Sequence, residues 1–246
     1  MSRPRFFIEG RRACGQSVAL HGTDAHKIVA VLRLRDGDEI EAIDSAGGRF
    51  LARLEIAGRD VAARLETLLD DPGAAWPWQV TVAQGIPKGQ KMDFVVEKLT
   101  ELGVARIVPL IAERSIAQAG AGKMARWRRL AKTAATQSGR SDVPTIADAL
   151  DLDALLVAYR QDHAIAMPWE LAQRVPLRQT LPPIVRDARN VLIVIGPEGG
   201  FSHDEAARAR AAGAHLVWLG RTILRTETAA MAMLAILGYL GDEPSA

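Results

Sequence analysis

The chain has 246 residues, enough for one large domain or two smaller ones with real cores. Its composition, 48% hydrophobic and 24% charged, is ordinary for a soluble globular protein, and no run of about 18 apolar residues points to a membrane span. A single cysteine, Cys14, excludes an internal disulfide, and the basic N-terminus lacks a signal peptide's apolar stretch, so a cytoplasmic protein is expected.

The net charge of +2 is unevenly distributed. Residues 121–140 hold six basic side chains and no acidic one, and the first twelve residues carry Arg3, Arg5, Arg11 and Arg12 against Glu9. Such clusters suit a polyanion at one face, or a plain solvated surface, and charge alone leaves both readings open.

In chain order, short β-type runs occur at 16–20, 39–43, 50–56 and 61–65, separated by turn formers at 35–38 and 45–48. One short helix fits 25–33. This pattern predicts a small β-barrel domain. A linker follows at 70–77, dense in turn formers. Beyond Trp78 the pattern becomes alternating strands and helices. Strands are predicted at 79–83, 106–111, 163–167, 191–195 and 215–219, with helices at 91–102, 123–137 and 204–212. Such alternation predicts a mainly parallel sheet covered by helices. In the helix at 123–137, Met124, Trp127, Leu130, Ala131 and Ala134 share one face and Arg126, Arg128, Arg129 and Lys132 the other. Trp127 is therefore read as core. The last helix, 227–240, is apolar nearly all round and must be buried on more than one side, in the sheet, in a subunit interface, or in both.

Two loops stand out. Ile195-Gly196-Pro197-Glu198-Gly199-Gly200 follows a buried strand, where ligands of open parallel sheets sit and where glycines allow close approach. The bland reading is a tight turn with no ligand. The loop has neither the spacing of a dinucleotide fingerprint nor that of a P-loop. Ser202 and Glu205 form a capping-box pattern for the next helix, and the neighbouring Ser202, His203 and Asp204 are no triad. The second loop, Leu219-Gly220-Arg221-Thr222-Ile223-Leu224-Arg225-Thr226-Glu227-Thr228-Ala229, also joins a strand to a helix. Thr226 and Glu227 read as N-terminal capping residues, which leaves Arg221 and Arg225 unexplained. The five histidines show no metal-ligand spacing, so no metal is expected.

These two loops together resemble the ribosomal RNA small subunit methyltransferase E family, of the SPOUT superfamily. Further matches are Val31-Leu32-Arg33, Glu97-Lys98-Leu99-Thr100-Glu101-Leu102-Gly103-Val104, Glu113-Arg114-Ser115 and Gln137-Ser138-Gly139-Arg140, so the likeness spans almost the whole chain. The resemblance implies a PUA-like RNA-binding β-barrel at 1–72. It implies a trefoil-knotted α/β SPOUT domain at 73–246, working as a homodimer partly through its last helix. The implied reaction is methylation of a uridine N3 in 16S ribosomal RNA of the small ribosomal subunit, with S-adenosyl-L-methionine (SAM) as cofactor.

By the same resemblance, SAM lies among loops after Met167, after Ile195 and at 219–229. The implied cofactor residues begin with Met167, Ile195, Gly196, Pro197, Glu198, Gly199 and Gly200. They continue through Leu219, Gly220, Ile223, Leu224, Thr226, Thr228 and Ala229, with backbone groups of Gly196, Leu219 and Leu224 against the adenosine. Arg225 and Arg140 are the candidate catalytic residues, stabilising the uridine anion through its oxygens. Glu198 or Glu227 is placed to take the N3 proton, or only to orient a loop or cap a helix. Candidate RNA contacts are Arg3, Arg5, Arg11, Arg33, Arg126 and Arg129. Competing readings are a non-catalytic ribosomal-RNA-binding assembly factor, a SPOUT enzyme acting on a ribose 2′-hydroxyl of another RNA, and a nicotinamide-dependent oxidoreductase, which the missing glycine fingerprint disfavours.

Overall fold

A computed structural model describes residues 3–69, 76–115 and 119–241. Most of the predicted linker, 70–75, lies outside the described residues. The chain divides into two compact units: Met1–Gly73 with Ala135–Asp142, and Ala74–Ala134 with Val143–Ala246. Residues 135–142, which the sequence reading leaves in the second domain, thus group with the first unit.

The first unit is a five-stranded sheet of β1 (Arg5–Phe7), β2 (Ser17–Leu20), β3 (Glu39–Ile43), β4 (Arg49–Ala57) and β5 (Asp60–Leu69), in the order β1-β3-β4-β5-β2. All pairs are antiparallel except β1 with β3. Period-two alternation builds its core: Val61, Ala63 and Leu65 of β5 point inward and Arg64 and Glu66 outward. Ile28, Ile40, Phe50 and Leu54 complete the cluster. Strand β1, too short to leave a pattern in the sequence, pairs with β3, buries Phe6 in the core and is tied by charge. The buried Glu41 accepts from Arg5 Nε at 2.6 Å and from Arg49 Nε at 2.6 Å, and Arg5 also donates to the Gly139 carbonyl. The helix expected at 25–33 starts earlier, as α1 (Gly22–His26), and continues over Lys27–Val31 as a π-helix in which Leu32 N–H donates to the Lys27 carbonyl at 2.8 Å. It ends on Arg33, whose φ of 54° places a non-glycine residue in the left-handed region.

The second unit is a parallel sheet of β6 (Gln79–Gly85), β7 (Arg106–Ile111), β8 (Thr145–Ile146), β9 (Leu150–Asp151), β10 (Ala164–Pro168), β11 (Asn190–Ile195) and β12 (His215–Val217). The order is β12-β10-β11-β6-β7-β8, with β9 also on β7. The helices are α2 (Lys91–Glu101), α3 (Ala121–Ser138, of which residues 135–138 group with the first unit), α4 (Leu152–Tyr159), α5 (Leu177–Val185), α6 (His203–Ala211) and α7 (Thr226–Gly241). Central strands are buried on both faces, which is why β11 reads as an unbroken apolar run. Val191, Ile193 and Ile195 enter the core shared with α2, α3, α5 and α7, while Leu192 and Val194 enter the core shared with α4 and α6. Trp127 is core, as expected, 3% exposed, its indole donating to Asp93 at 3.1 Å. Helix α7 buries one face, Ala230, Met233, Leu234 and Leu237, and leaves Tyr239 73% exposed. Among the described residues no helix is long and apolar enough to cross a membrane.

Candidate active site

Strands β12, β10 and β11 are neighbours, so the loops at their carboxyl ends lie side by side. Together with the start of α7 they enclose a cavity of about 1220 Å³. Three segments line it: 168–171 with Arg174, 195–201, and 218–226 with Ala229, while Lys91 of α2 adds a cation.

The glycine-rich loop after β11 is held from several directions. Gly85, the last residue of β6, lies so close beneath it that a Cβ there would stand 2.4 Å from Pro197 N. The Thr226 hydroxyl donates to the Gly196 carbonyl. Gly200 has φ 65° and Gly220 φ 133°, conformations that favour glycine; Gly196 and Gly199 instead sit against neighbours, the Phe201 ring at 3.2 Å and Arg114 Cβ at 3.1 Å from their would-be Cβ atoms. The turn after β7 braces the loop's outer side. Arg114 Nη1 donates to the Gly199 carbonyl at 2.8 Å and Ser202 Oγ donates to Glu113 at 2.7 Å. The predicted capping box is present: Ser202 accepts from Glu205 N–H at 3.2 Å, and Glu205 accepts from Ser202 N–H at 2.9 Å. Glu205 is 1% exposed and also accepts from Glu113 N–H at 2.9 Å. The Glu113-Arg114-Ser115 match in the sequence thus has a physical reason.

Glu198 is a loop anchor. Burial pushes its carboxyl up, but hydrogen bonds from the Lys88 and Glu198 N–H groups and the Lys91 ammonium at 3.1 Å together hold it below the usual carboxylate range. A carboxylate so stabilised is a poor proton acceptor. One oxygen of Glu227, Oε2, is buried without a hydrogen-bond partner among the described residues.

Most implied cofactor residues meet here: Ile195 to Gly200, then Leu219, Gly220, Ile223, Leu224, Thr226 and Ala229. Two do not. Met167 is 0% exposed, packed into the core, and the lining of that loop begins at Pro168. Thr228 lies on the exposed face of α7, because one residue before Ala229 is a turn of about 100° away from it. Thr226 is not a side-chain cap, since its hydroxyl bridges Gln84 and Gly196. Arg225 lines the cavity with an exposed side chain, and its carbonyl accepts the Ala229 N–H at 2.8 Å. Arg140 belongs to the first unit, where it forms a two-pronged pair with Asp142 at 2.6 and 3.2 Å. Of the candidate RNA contacts, Arg3 pairs with Glu39 at 2.8 Å, Arg5 with Glu41, and Arg126 with Asp93 at 2.6 Å; Arg11, Arg33 and Arg129 are exposed. Among the described residues no group of side chains could hold a metal ion.

The sequence reading missed the weight of the Trp169–Arg174 loop. Trp169 is 9% exposed; its N–H donates to the Val217 carbonyl at 3.0 Å and its indole to the Phe201 carbonyl at 3.4 Å, joining three strand ends. The available signal was a tryptophan just past a predicted strand, where an aromatic side chain is placed to wall a ligand site.

Residues 74–238 match the family model of an RNA methyltransferase domain, and residues 20–62 that of an RNA methyltransferase PUA domain. The chain is 30% identical to ribosomal RNA small subunit methyltransferase E of Bacillus subtilis (strain 168), over 96% of each chain. The chain belongs to the ribosomal RNA small subunit methyltransferase E family. A family member from Neisseria gonorrhoeae, solved bound to S-adenosyl methionine, superposes with a TM-score of 0.87 at 31% identity, over 97% of this chain and 98% of that one. A methyltransferase from Legionella pneumophila in complex with SAM gives 0.82 at 28% identity, over 98% and 99%. The expected class, an α/β methyltransferase domain with a parallel sheet behind a PUA-like domain, is the class of this family.

Proposed function

We propose that the protein transfers the methyl group of SAM to N3 of a uridine in 16S ribosomal RNA of the small ribosomal subunit. The observation that carries this reading is the three-loop cavity at the ends of β10, β11 and β12, in a chain whose relatives were solved with SAM. The cavity fits such a cofactor. Trp169, Phe201, Leu219 and Leu224 give apolar walls, while glycines bring backbone groups to the surface. Backbone groups of Gly196, Leu219 and Leu224 would hold the adenosine, and SAM supplies a methyl group already activated on its sulfonium.

The chain's own task is to position the uridine and to favour loss of its N3 proton. That edge of uracil is engaged in Watson–Crick pairing, so the target is unpaired or extruded. Arg225, at the cavity wall, stabilises the uridine anion by donating to a uracil oxygen, and Arg140 is the second arginine proposed for the chemistry. Lys91, Arg174, Arg221 and Arg225 outnumber Glu170 and Glu198 around the cavity, which suits an anionic substrate. Residues 1–72 hold the flanking RNA, with Arg11 and Arg33 the better-placed contacts because Arg5 is tied to Glu41. Residues 73–246 form the SPOUT domain. Its trefoil knot belongs to the same reading, which the close packing of the end of β6, the loop after β11 and the start of α7 accommodates. Two copies pair through the uncovered apolar face of α7, centred on Ala235 and Tyr239, and the enzyme works in the cytoplasm without a metal.

Calorimetry with SAM, followed by transfer of labelled methyl to small subunits purified from cells lacking the modification, tests this. SAM binding with transfer to 16S ribosomal RNA is expected. SAM binding without transfer to these subunits would favour the assembly-factor reading or another RNA.

A further inference from the structure

Gln84, the residue before the last of β6, has its side chain fully buried, at 0% exposure. A buried amide is costly unless its groups are matched. Its Nε2 donates to the Gly85 carbonyl at 2.9 Å and to Thr226 Oγ1 at 2.7 Å. Thr226 donates its hydroxyl to the Gly196 carbonyl. Chemistry fixes the direction of this relay. Carbonyl oxygens only accept, so the amide nitrogen must face Gly85, and the single hydrogen of Thr226 is committed to Gly196. Gln84 Oε1 is left buried with no partner among the described residues. With its acceptor unmatched, Gln84 makes its hydrogen bonds through its donor end alone.

The relay ends at the cavity. Gly196 and Thr226 both line it, and the Gly196–Pro197 peptide rests on Gly85, with no room there for a side chain. We propose that Gln84 is a positioning residue for cofactor binding: by donating to Thr226 it directs the threonine hydrogen onto the Gly196 carbonyl and fixes the loop that walls the cavity. The inference rests on the SAM reading given above. Gln84 itself is absent from the cavity lining and acts only through Thr226.

Reversing the polarity of the relay tests it. In Gln84→Glu the protonated carboxyl keeps one hydrogen, enough for Thr226 but not for the Gly85 carbonyl as well, whereas the ionised carboxylate only accepts. It then draws the Thr226 hydrogen away, and the Gly196 carbonyl faces an oxygen lone pair. Burial raises the pKa of the introduced carboxyl toward neutrality. SAM affinity is measured by calorimetry for wild type, Gln84→Glu and Gln84→Met across pH, each variant expressed as a ratio to wild type. The Gln84→Glu ratio is expected closer to unity at about pH 5 and weakened by about a further tenfold at about pH 8. Gln84→Met, with no donor at any pH, is expected to be weakened about tenfold at both. A merely space-filling role would leave Gln84→Met at wild-type affinity, so wild-type affinity in that variant, or a flat Gln84→Glu profile, overturns the proposal. If Gln84→Glu does not fold, Thr226→Val breaks the same relay, and wild-type affinity in that variant overturns it. Wild-type protein that takes no SAM would overturn the cofactor reading and this proposal together; wild-type binding with a flat variant profile overturns this proposal alone.

Discussion

Arg225 is the side chain on which the proposed chemistry leans most. It is exposed, and its link to α7 runs through its backbone carbonyl to the Ala229 N–H, which a side-chain change leaves intact. Arg225→Ala is therefore expected to fold normally, bind SAM with unchanged affinity, and lose methyl transfer by on the order of 10²–10³-fold, as removal of an anion-stabilising donor does. Single-turnover methylation beside a SAM titration separates these effects, and near-normal turnover would remove Arg225 from the mechanism. Glu198 makes the opposite case. Its carboxyl is held below the usual range, so it stays ionised as pH rises from neutrality, and its tie to Lys91 is lost only as pH falls through that lowered value. The rate profile between about pH 6 and pH 9 is expected to show no limb that Glu198→Gln removes. Glu41 is held low in the same way: burial raises its carboxyl, and hydrogen bonds from Arg5 and Arg49 more than offset this. Its stabilising effect is present above the unfolded carboxyl pKa and is lost as pH falls through the folded value. Glu41→Gln leaves Arg5 and Arg49 without their shared partner and is expected to cost about 2–3 kcal/mol in denaturant unfolding at neutral pH, with the gap to wild type closing in acid.

The elements that carry strong periodicity or caps were legible in the sequence. Strand β7 and the Ser202–Glu205 capping box are where the pattern places them, while the grouping of three loops came from the family resemblance and not from periodicity. Helix α4 was not named although its signals were present: Asp151 accepts from the Ala154 N–H at 2.8 Å as N-cap, and Leu152, Leu155, Leu156 and Tyr159 form a buried stripe at helical spacing. Helix α5 was not legible, because Pro182 and Pro183 stand inside it, and proline argues against a helix interior. The role of Thr226 was also hidden. A threonine before a helix reads as a cap, and only the fold brings Gln84 and Gly196, far away in sequence, onto its hydroxyl. Two element-scale tests follow. Ser202→Ala removes the acceptor for the Glu205 N–H and the donor to Glu113, and should cost about 1–2 kcal/mol by thermal or denaturant unfolding. Gly196→Val forces a side chain against the Phe201 ring, 3.2 Å from where its Cβ would lie, and should weaken SAM binding at least about tenfold by calorimetry through displacement of the loop.

At the scale of the whole molecule, a PUA-like sheet and a parallel α/β unit occupy one chain, and the cavity belongs wholly to the second. Helix α7 serves this unit twice, since its first residue holds the glycine loop and its outer face exposes Tyr239 beside Ala235. If that face joins two copies, Tyr239→Glu should shift the protein from dimer to monomer in sedimentation, weakening association on the order of tenfold or more; a variant that stays dimeric would place the interface elsewhere. The most direct test of the central claim is to label 16S ribosomal RNA with the protein and methyl-labelled SAM, digest the RNA, and identify the nucleoside that carries the label. The account predicts label in 3-methyluridine alone. Label in a 2′-O-methylated nucleoside, or in any base other than uridine, would contradict it.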